Sequence, residues 1–315
     1  MQTTKLISGF AIMMLLFSSC VAIIDEDLII DEPSISLNDV LTSYDLWYVN
    51  INQTQGSGEV PFLQKAFTIS FKFNGTLYAN NNLAGFGSEG GGLGIDVAGF
   101  DTYGKYLEVD HDVDGFWKLE VFQKSPNRIE IYDRPSNTSY FLTGYQSNNF
   151  DYDFVFYDNI HYFLQEYDTW EKTFVSEEGA LNDFDAENFL AFLTSGNGDT
   201  FLSSTDPAGT PLGNIQYDYE GVYEVFDITG EAKIKTLTLD YDYLGNDYFE
   251  LYVINDRTIE LYHPDSGTVY EFTGRGYIQY LKEGTTAKGG SKIEKKRKKI
   301  INRAMDVEVK RDNTK

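Results

Sequence analysis

The sequence has little of several residues on which common protein chemistry depends. Its 315 residues include one cysteine, Cys20, and three scattered histidines, His111, His161 and His263. If Cys20 is modified, no thiol remains for a disulfide, a structural thiolate zinc site or a nucleophile. The chain also lacks the G-x-S-x-G, H-E-x-x-H and phosphate-loop motifs. The sequence therefore identifies no catalytic residue, although paired carboxylates, as in glycosidases, stay open among its 49 acidic residues.

A hydrophobic run long enough to cross a bilayer is missing as well. The run from Leu6 to Phe17 has about twelve residues and follows Lys5, which is the layout of a secretory signal. It ends at Phe17-Ser18-Ser19-Cys20, which resembles the bacterial lipobox, with Phe17 in place of the usual aliphatic residue. The resemblance implies a signal peptide over residues 1–19 and a diacylglycerol on Cys20. A simple secretory signal and an uncleaved anchor are the alternatives.

Acidic residues follow Cys20 in a segment, residues 20–36, that we interpret as a tether. Asp25-Glu26-Asp27 and Asp31-Glu32 resemble the anionic patch that sends some Bacteroidota lipoproteins to the outer face of the outer membrane. The resemblance implies an outer-membrane lipoprotein, on the cell surface or on the periplasmic face. The membrane, reached through the lipid, is thus an expected partner.

Charge of one sign dominates everything except the C-terminus. The formal net charge is −24, yet residues 282–315 carry twelve Lys or Arg against five Asp or Glu. An acidic body repels phosphates, so we expect no nucleic acid as partner. We interpret the basic tail, residues 282–315, as disordered and solvated. Contact with lipopolysaccharide phosphates, or folding back on the acidic body, are its alternatives.

Aromatic residues are abundant, and they indicate a folded, mostly β body. The chain has 23 Tyr and 23 Phe, which favour half-buried pleated surfaces. The length after the signal suits two domains. Apolar residues alternate with a period of two, as in Phe67, Ile69 and Phe71, and the segments end at turn residues such as Asn74-Gly75. We expect meanders, closed into barrels because open edges this aromatic would aggregate.

An internal duplication defines the two domains. Leu107–Val121 matches Leu237–Val253, with two residues inserted after the turn in the second copy. Further matches keep the same order: Arg128–Tyr132 with Thr258–Tyr262, Ser136–Tyr140 with Ser266–Tyr270, Thr143-Gly144 with Thr273-Gly274, and Ser43–Trp47 with Glu166–Trp170. The sequence predicts β domain 1 over residues 37–148, a linker over 149–155 and β domain 2 over 156–281.

The pattern of each copy resembles the lipocalin-like domains of Bacteroidota lipoproteins. Each copy has an early Trp, a strand of the I-E-L-Y type and a final Y-x-x-T-G strand. The resemblance implies two tandem antiparallel meander barrels, with Trp47 and Trp170 plugging the core near one end. An aspartate cap at Asp185 and the helical spacing of the residues after it predict a short helix over 185–193 in the second domain. The stretch 150–167 is left open between a helix and a pairing strand, and the glycine-rich stretch 85–94 is expected to be a mobile hairpin.

The sharpest chemical pattern is an alternation of carboxylates before a glycine. Asp110, Asp112 and Asp114 precede Gly115, an arrangement that can direct oxygen ligands to one calcium ion. The second copy retains two of the acids, Asp240 and Asp242. Calcium is therefore the candidate cofactor, although these residues also fit the solvent face of a strand.

The combined features predict a lipid-anchored envelope module that binds or assembles without catalysis. Runs that alternate Tyr with Asp, such as residues 240–243, are candidate platforms for a glycan, and a small molecule or an envelope protein are the other expected partners. Similar two-repeat lipoproteins carry the label nicotinic acid mononucleotide adenylyltransferase. The chain lacks that enzyme family's H-x-G-H and S-T-x-x-R motifs, so its residues do not support that chemistry. A nucleotidyltransferase, suggested by the label, and a structural scaffold of filled barrels are the alternative functions.

Overall fold

The computed structural model describes residues 35–195, 198–278, 297, 299–300 and 303–311. Within them the chain forms two closed, eight-stranded antiparallel β barrels in tandem, which confirms the predicted fold class. From Ser36 onward the described residues belong to one compact unit. No helix in this part of the chain combines the length and the apolar character needed to span a membrane. The predicted signal peptide, Cys20 and nearly all of the tether lie outside the described residues.

Barrel 1 begins with the short helix α1 (Leu37–Thr42), which closes one end, here called the base. Helix α2 (Pro61–Lys65), between the first two strands, covers the other end, here called the mouth. Pairing of the first strand with both the second and the eighth closes the barrel. The strands are β1 (Leu46–Gln55), β2 (Thr68–Phe71), β3 (Thr76–Asn80), β4 (Ile95–Tyr103), β5 (Tyr106–His111), β6 (Gly115–Ser125), β7 (Arg128–Asp133) and β8 (Thr138–Tyr145).

Barrel 2 repeats this order after a helical connection, α3 (Tyr152–Asp158) and α4 (Ile160–Leu164). Its first strand pairs with its second and its last, and a pairing of the third with the fourth completes the closure. The strands are β9 (Tyr167–Val175), β10 (Phe189–Ser195), β11 (Gly198–Ser204), β12 (Tyr219–Ile228), β13 (Glu231–Tyr241), β14 (Gly245–Asn255), β15 (Thr258–His263) and β16 (Thr268–Tyr277). A two-residue strand, β17 (Ala304–Met305), pairs in parallel with β12.

The strand register corrects one detail of the duplication. His111 pairs with Gly115 across the turn between β5 and β6, and Tyr241 pairs with Gly245 across the turn between β13 and β14. Each turn therefore has three residues between the paired positions, and the two-residue insertion expected in the second copy is absent. Both glycines have positive φ, 74° and 113°, which marks them as the same position of the same turn.

The two tryptophans occupy the same place in each barrel, in the core above the base. Trp47 and Trp170 are fully buried. The Nε1 of Trp47 donates to the carbonyl oxygen of Leu41 and that of Trp170 to Leu164 O, both at 2.8 Å. Each acceptor lies in the short helix before the strand, where a C-terminal carbonyl lacks a helical partner. The core role predicted for these residues is confirmed.

The prediction of a helix over residues 185–193 is wrong. A single 3-10 turn covers Asp183–Ala186, and β10 begins at Phe189. The residues from Phe189 to Phe192 are all buried, and a run that is apolar on both faces has no periodicity that separates a strand from a helix. Most of the open stretch 150–167 is helical, as α3 and α4. Asp151 caps α3 by accepting from the backbone N–H groups of Asp153 and Phe154.

The described part of the basic tail lies against the barrels. Asp227 N donates to Arg303 O (2.9 Å), and Thr229 N donates to Met305 O (3.1 Å), beside strand β17. Arg311 forms a bidentate ion pair with the carboxylate of Glu260. Of the interpretations of the tail, folding back on the acidic body describes these residues, whereas a wholly disordered tail does not.

Candidate functional site

The interiors of both barrels are filled by their own side chains. In barrel 1 a continuous cluster of buried hydrophobic residues extends from Trp47 at the base to Phe62 and Leu63 of α2 at the mouth. In barrel 2 Phe184 takes the place of α2, and its ring centroid lies 4.7 Å from that of Phe249. Interiors packed in this way leave no lipocalin-like chamber for a ligand among these residues.

Beneath the mouth of barrel 2 lies a buried acid, Glu187, that the sequence analysis did not single out. Its carboxylate accepts from the hydroxyl of Tyr241, at 2.9 Å to each oxygen, and from the Ser203 hydroxyl. Burial raises the pKa of Glu187 to about 7, because desolvation disfavours the charged carboxylate. Burial also raises the pKa of Tyr241, and the adjacent Glu187 carboxylate adds to this increase.

A lysine and two further acids complete this polar cluster. Lys172 donates to the backbone oxygen of Asp185 (2.7 Å), and burial lowers the pKa of its ammonium to about 8. The Asp185 carboxylate accepts from the hydroxyl of Tyr270 at 2.6 Å. Asp247, whose pKa is also raised by burial, lies 3.8 Å from Nε2 of His263. Acidic side chains, a lysine and a histidine thus lie together under the closed mouth of barrel 2, where neighbouring protein groups provide their polar contacts.

Perturbed pKa values often mark catalytic sites, but the surroundings of this cluster favour a structural role. Phe184 lies above it with 1% of its surface exposed, and Asn182 donates to the Tyr270 hydroxyl at 2.8 Å. A substrate would have to displace this cap. The sequence offered one signal for the cluster, the equivalence of His263 with Asp133 in the first copy, which places polar groups at the mouth of both barrels.

The predicted calcium loop lies at the mouth of barrel 1. Asp110 and Asp112 are exposed, whereas the carboxylate of Asp114 is buried and lies 3.1 Å from the ammonium of Lys65. The same carboxylate is 3.4 Å from Nδ1 of His111. A lysine in this position competes with a cation for the carboxylate, which is the physical objection to calcium here.

In the second copy Asp240, near the end of β13, and Asp242, in the turn that follows, are both exposed. Among the described residues no three acidic, histidine or cysteine side chains converge so that they could hold a metal ion. The structure therefore does not bring the predicted ligands of either loop together. Calcium at the loops of Asp110 and Asp240 stays a prediction without geometric support.

The barrels are joined by a buried carboxylate, Glu166, which lies just before β9. It accepts from the backbone N–H of Leu83 at 2.8 and 3.0 Å and from that of Ala84 at 2.9 Å, both in the loop between β3 and β4. The neighbouring Gly85 N donates to the carboxylate of Asp256 at 2.8 Å. The start of the glycine-rich stretch 85–94 is therefore fixed to the base of barrel 2.

Beside this joint lies a cleft of about 440 Å³ between the two barrels. Arg257 lines it, with Nε donating to the carbonyl oxygen of Gly274 at 3.0 Å. That bond uses one of the five N–H donors of the guanidinium. Other groups of different chemistry share the wall: the rings of Tyr167 and Tyr277, the carboxylate of Glu89, and the glycine backbone at Gly85, Gly274 and Gly276.

The cleft is formed by residues of both barrels together, and the sequence analysis did not predict it. Arg257 stands where the first copy has Asn127, so the duplication gave no reason to single it out. Comparison with protein-family models finds no match to the chain, and none of the curated proteins matches it.

Proposed function

We propose that this chain is a non-catalytic module of the bacterial cell envelope, anchored through a lipid on Cys20, that binds a glycan in the cleft between its barrels. The observation that carries the proposal is the packing of the barrels. Because their interiors are occupied by their own side chains and their mouths are covered by Phe62 and Phe184, a ligand has to bind outside. The inter-barrel cleft offers a concave surface there.

The chemistry of the cleft suits a neutral oligosaccharide. Tyr277, 38% exposed, offers an aromatic face for a sugar ring. Arg257 supplies hydrogen-bond donors for hydroxyl groups and Glu89 supplies acceptors. An acidic glycan fits less well, because the chain carries a formal net charge of −24.

Native mass spectrometry of the full chain tests this function. The probes are a neutral N-acetylglucosamine trisaccharide and a uronic-acid trisaccharide, each added in calcium-containing and in chelator-containing buffer. We expect the neutral sugar to be retained more than the acidic one. Arg257→Gln and Tyr277→Ala should each reduce its retention about tenfold, the effect of one lost hydrogen bond or stacking contact. Arg128→Gln, on an exposed arginine of barrel 1, is the matched control.

The outcomes separate the hypotheses that the sequence left open. Equal retention of the neutral sugar by the Arg257→Gln and Arg128→Gln variants would show that the cleft is not its binding site. Retention of neither sugar would favour the scaffold of filled barrels. A mass increase of one calcium ion, abolished by Asp112→Asn, would restore the loop at Asp110–Asp114 as a metal site.

A further inference from the structure

Arg297, in the basic C-terminal segment 282–315, lies in a socket on the outer face of barrel 1. Its guanidinium donates from Nη1 to Ala66 O, and from Nη2 to Val49 O (3.1 Å) and to the side-chain oxygen of Asn159 (3.0 Å). Val49 belongs to β1, Ala66 directly follows α2, and Asn159 lies between α3 and α4. Three segments distant in sequence thus supply the acceptors for one side chain.

Aromatic rings form the rest of the socket. The guanidinium carbon lies 4.5 Å from the ring centroid of Phe67 and 5.9 Å from that of Tyr48, distances at which a cation is attracted to a ring face. Arg297 is only 4% exposed. The Tyr48 hydroxyl donates to the carboxylate of Asp158, which places a negative charge behind the ring. A buried cation is therefore compensated on two sides.

The bonding pattern selects a guanidinium over an ammonium. Acceptors spread around a planar fork, with a ring stacked on it, match the shape of arginine, whereas a lysine is a compact point charge. The backbone takes part as well, since Arg297 N donates to Gln64 O (2.9 Å) and Ile300 N to the side-chain oxygen of Asn52 (2.9 Å). The socket and the adjoining surface of β1 thus bind both a side chain and a stretch of main chain.

We propose that this socket is a binding site for an arginine-bearing basic segment, occupied in this chain by Arg297 of its own C-terminus. The charge distribution agrees with this occupant, because the basic residues are concentrated in 282–315 and the rest of the chain is acidic. The site lies apart from the inter-barrel cleft and does not depend on the glycan proposal.

Chemical rescue in the full chain tests the socket. Arg297→Ala removes the occupant's side chain, and Arg303→Ala, on an exposed tail arginine, is the matched control. Thermal unfolding followed by circular dichroism should give a midpoint about 5 °C lower for Arg297→Ala and about unchanged for Arg303→Ala. Ethylguanidinium at about 20 mM should recover about half of that loss by occupying the vacated socket, whereas ethylammonium at the same concentration should not.

Three results would overturn the proposal: equal midpoints for the Arg297→Ala and Arg303→Ala variants, equal effects of the two cations, or an equal effect of ethylguanidinium on the unmodified chain. If Arg297→Ala does not fold, Arg297→Lys takes its place. This variant keeps the charge but not the planar guanidinium, so we expect its midpoint to lie below that of the unmodified chain. A lysine variant that melts with the unmodified chain would refute selection for a guanidinium.

Discussion

At the scale of single residues, the functional groups are decided by burial rather than by residue type. The sequence singled out Asp110, Asp112 and Asp114 because of their spacing, yet two of them are exposed and the third is paired with Lys65. Glu187, which has no distinctive neighbours in sequence, is the acid whose pKa is raised to about 7. With 49 acidic residues in the chain, only the tertiary structure can identify those that are buried and so lose contact with water.

The raised pKa of Glu187 should make the folded protein less stable as the pH rises. Its folded-state pKa of about 7 lies above the ordinary value of 4.5, so its contribution is fully present below pH 4.5 and is lost as the pH rises through 7. Between pH 5 and 8 the loss should be roughly 2–3 kcal/mol. Urea unfolding of Glu187→Gln, which cannot titrate, should lack this decline, whereas Glu178→Gln, an exposed control, should retain it. An equal decline in both variants would assign it to other groups.

At the scale of elements, the sequence predicted what has a periodic signal and missed what does not. The hairpins from β5 to β8 and from β13 to β16 follow alternating patterns and turn glycines, and these elements agree with the duplication found in the sequence. The helix over 185–193 failed because Phe189–Phe192 is buried on both faces. Residues 297–311 have no apolar period at all. The contacts of the described residues in this range depend on acceptors, such as Asn159 and Glu260, that only the folded barrels bring into place.

The last strand of each barrel has a glycine, Gly144 in β8 and Gly274 in β16, that packs closely against a tyrosine ring. A Cβ on Gly274 would lie 2.4 Å from the Tyr167 ring, and one on Gly144 would lie 2.6 Å from the Tyr44 ring. We expect Gly274→Ala and Gly144→Ala each to lower the free energy of unfolding by about 2 kcal/mol, since the ring has to move. Gly213→Ala, with nothing within 4 Å of the added carbon, should change it little. Denaturant titration measures all three, and three equal values would contradict the packing.

At the scale of the whole molecule, the two barrels behave as parts of one body. A single cluster of buried hydrophobic residues includes Tyr48 and Phe67 of barrel 1, Phe163 of α4 and Trp170 of barrel 2. The Glu166 carboxylate adds polar bonds at the joint, and the tail residues contact both barrels through Arg297 and Arg311. We therefore expect cooperative unfolding of both barrels together.

The joint can be weakened at Glu166. Glu166→Ala leaves the buried N–H groups of Leu83 and Ala84 without their acceptor, which should cost about 3 kcal/mol or more. Scanning calorimetry should then resolve two transitions in place of one. Glu178→Ala is the exposed control. A single transition with an unchanged midpoint in Glu166→Ala would mean that the carboxylate does not couple the barrels.

The proposed lipid anchor on Cys20 can be tested in whole cells. Cys20→Ser removes the thiol that would carry the lipid, so the protein should move from the membrane fraction to the soluble fraction of the envelope. The intact mass of the unmodified protein should exceed that of the cleaved polypeptide by the mass of the lipid. A serine variant that stays with the membrane would show that Cys20 does not anchor the protein.

The proposed ligand site lies between the barrels and not inside them. Hydrogen exchange of the full chain, with and without the neutral N-acetylglucosamine trisaccharide, tests it most directly. We expect slower exchange over residues 84–89 and 274–277, the two segments that contain most of the residues lining the cleft. Slower exchange at the mouths instead, over 58–65 and 182–187, would contradict it and return the ligand to the barrel interiors.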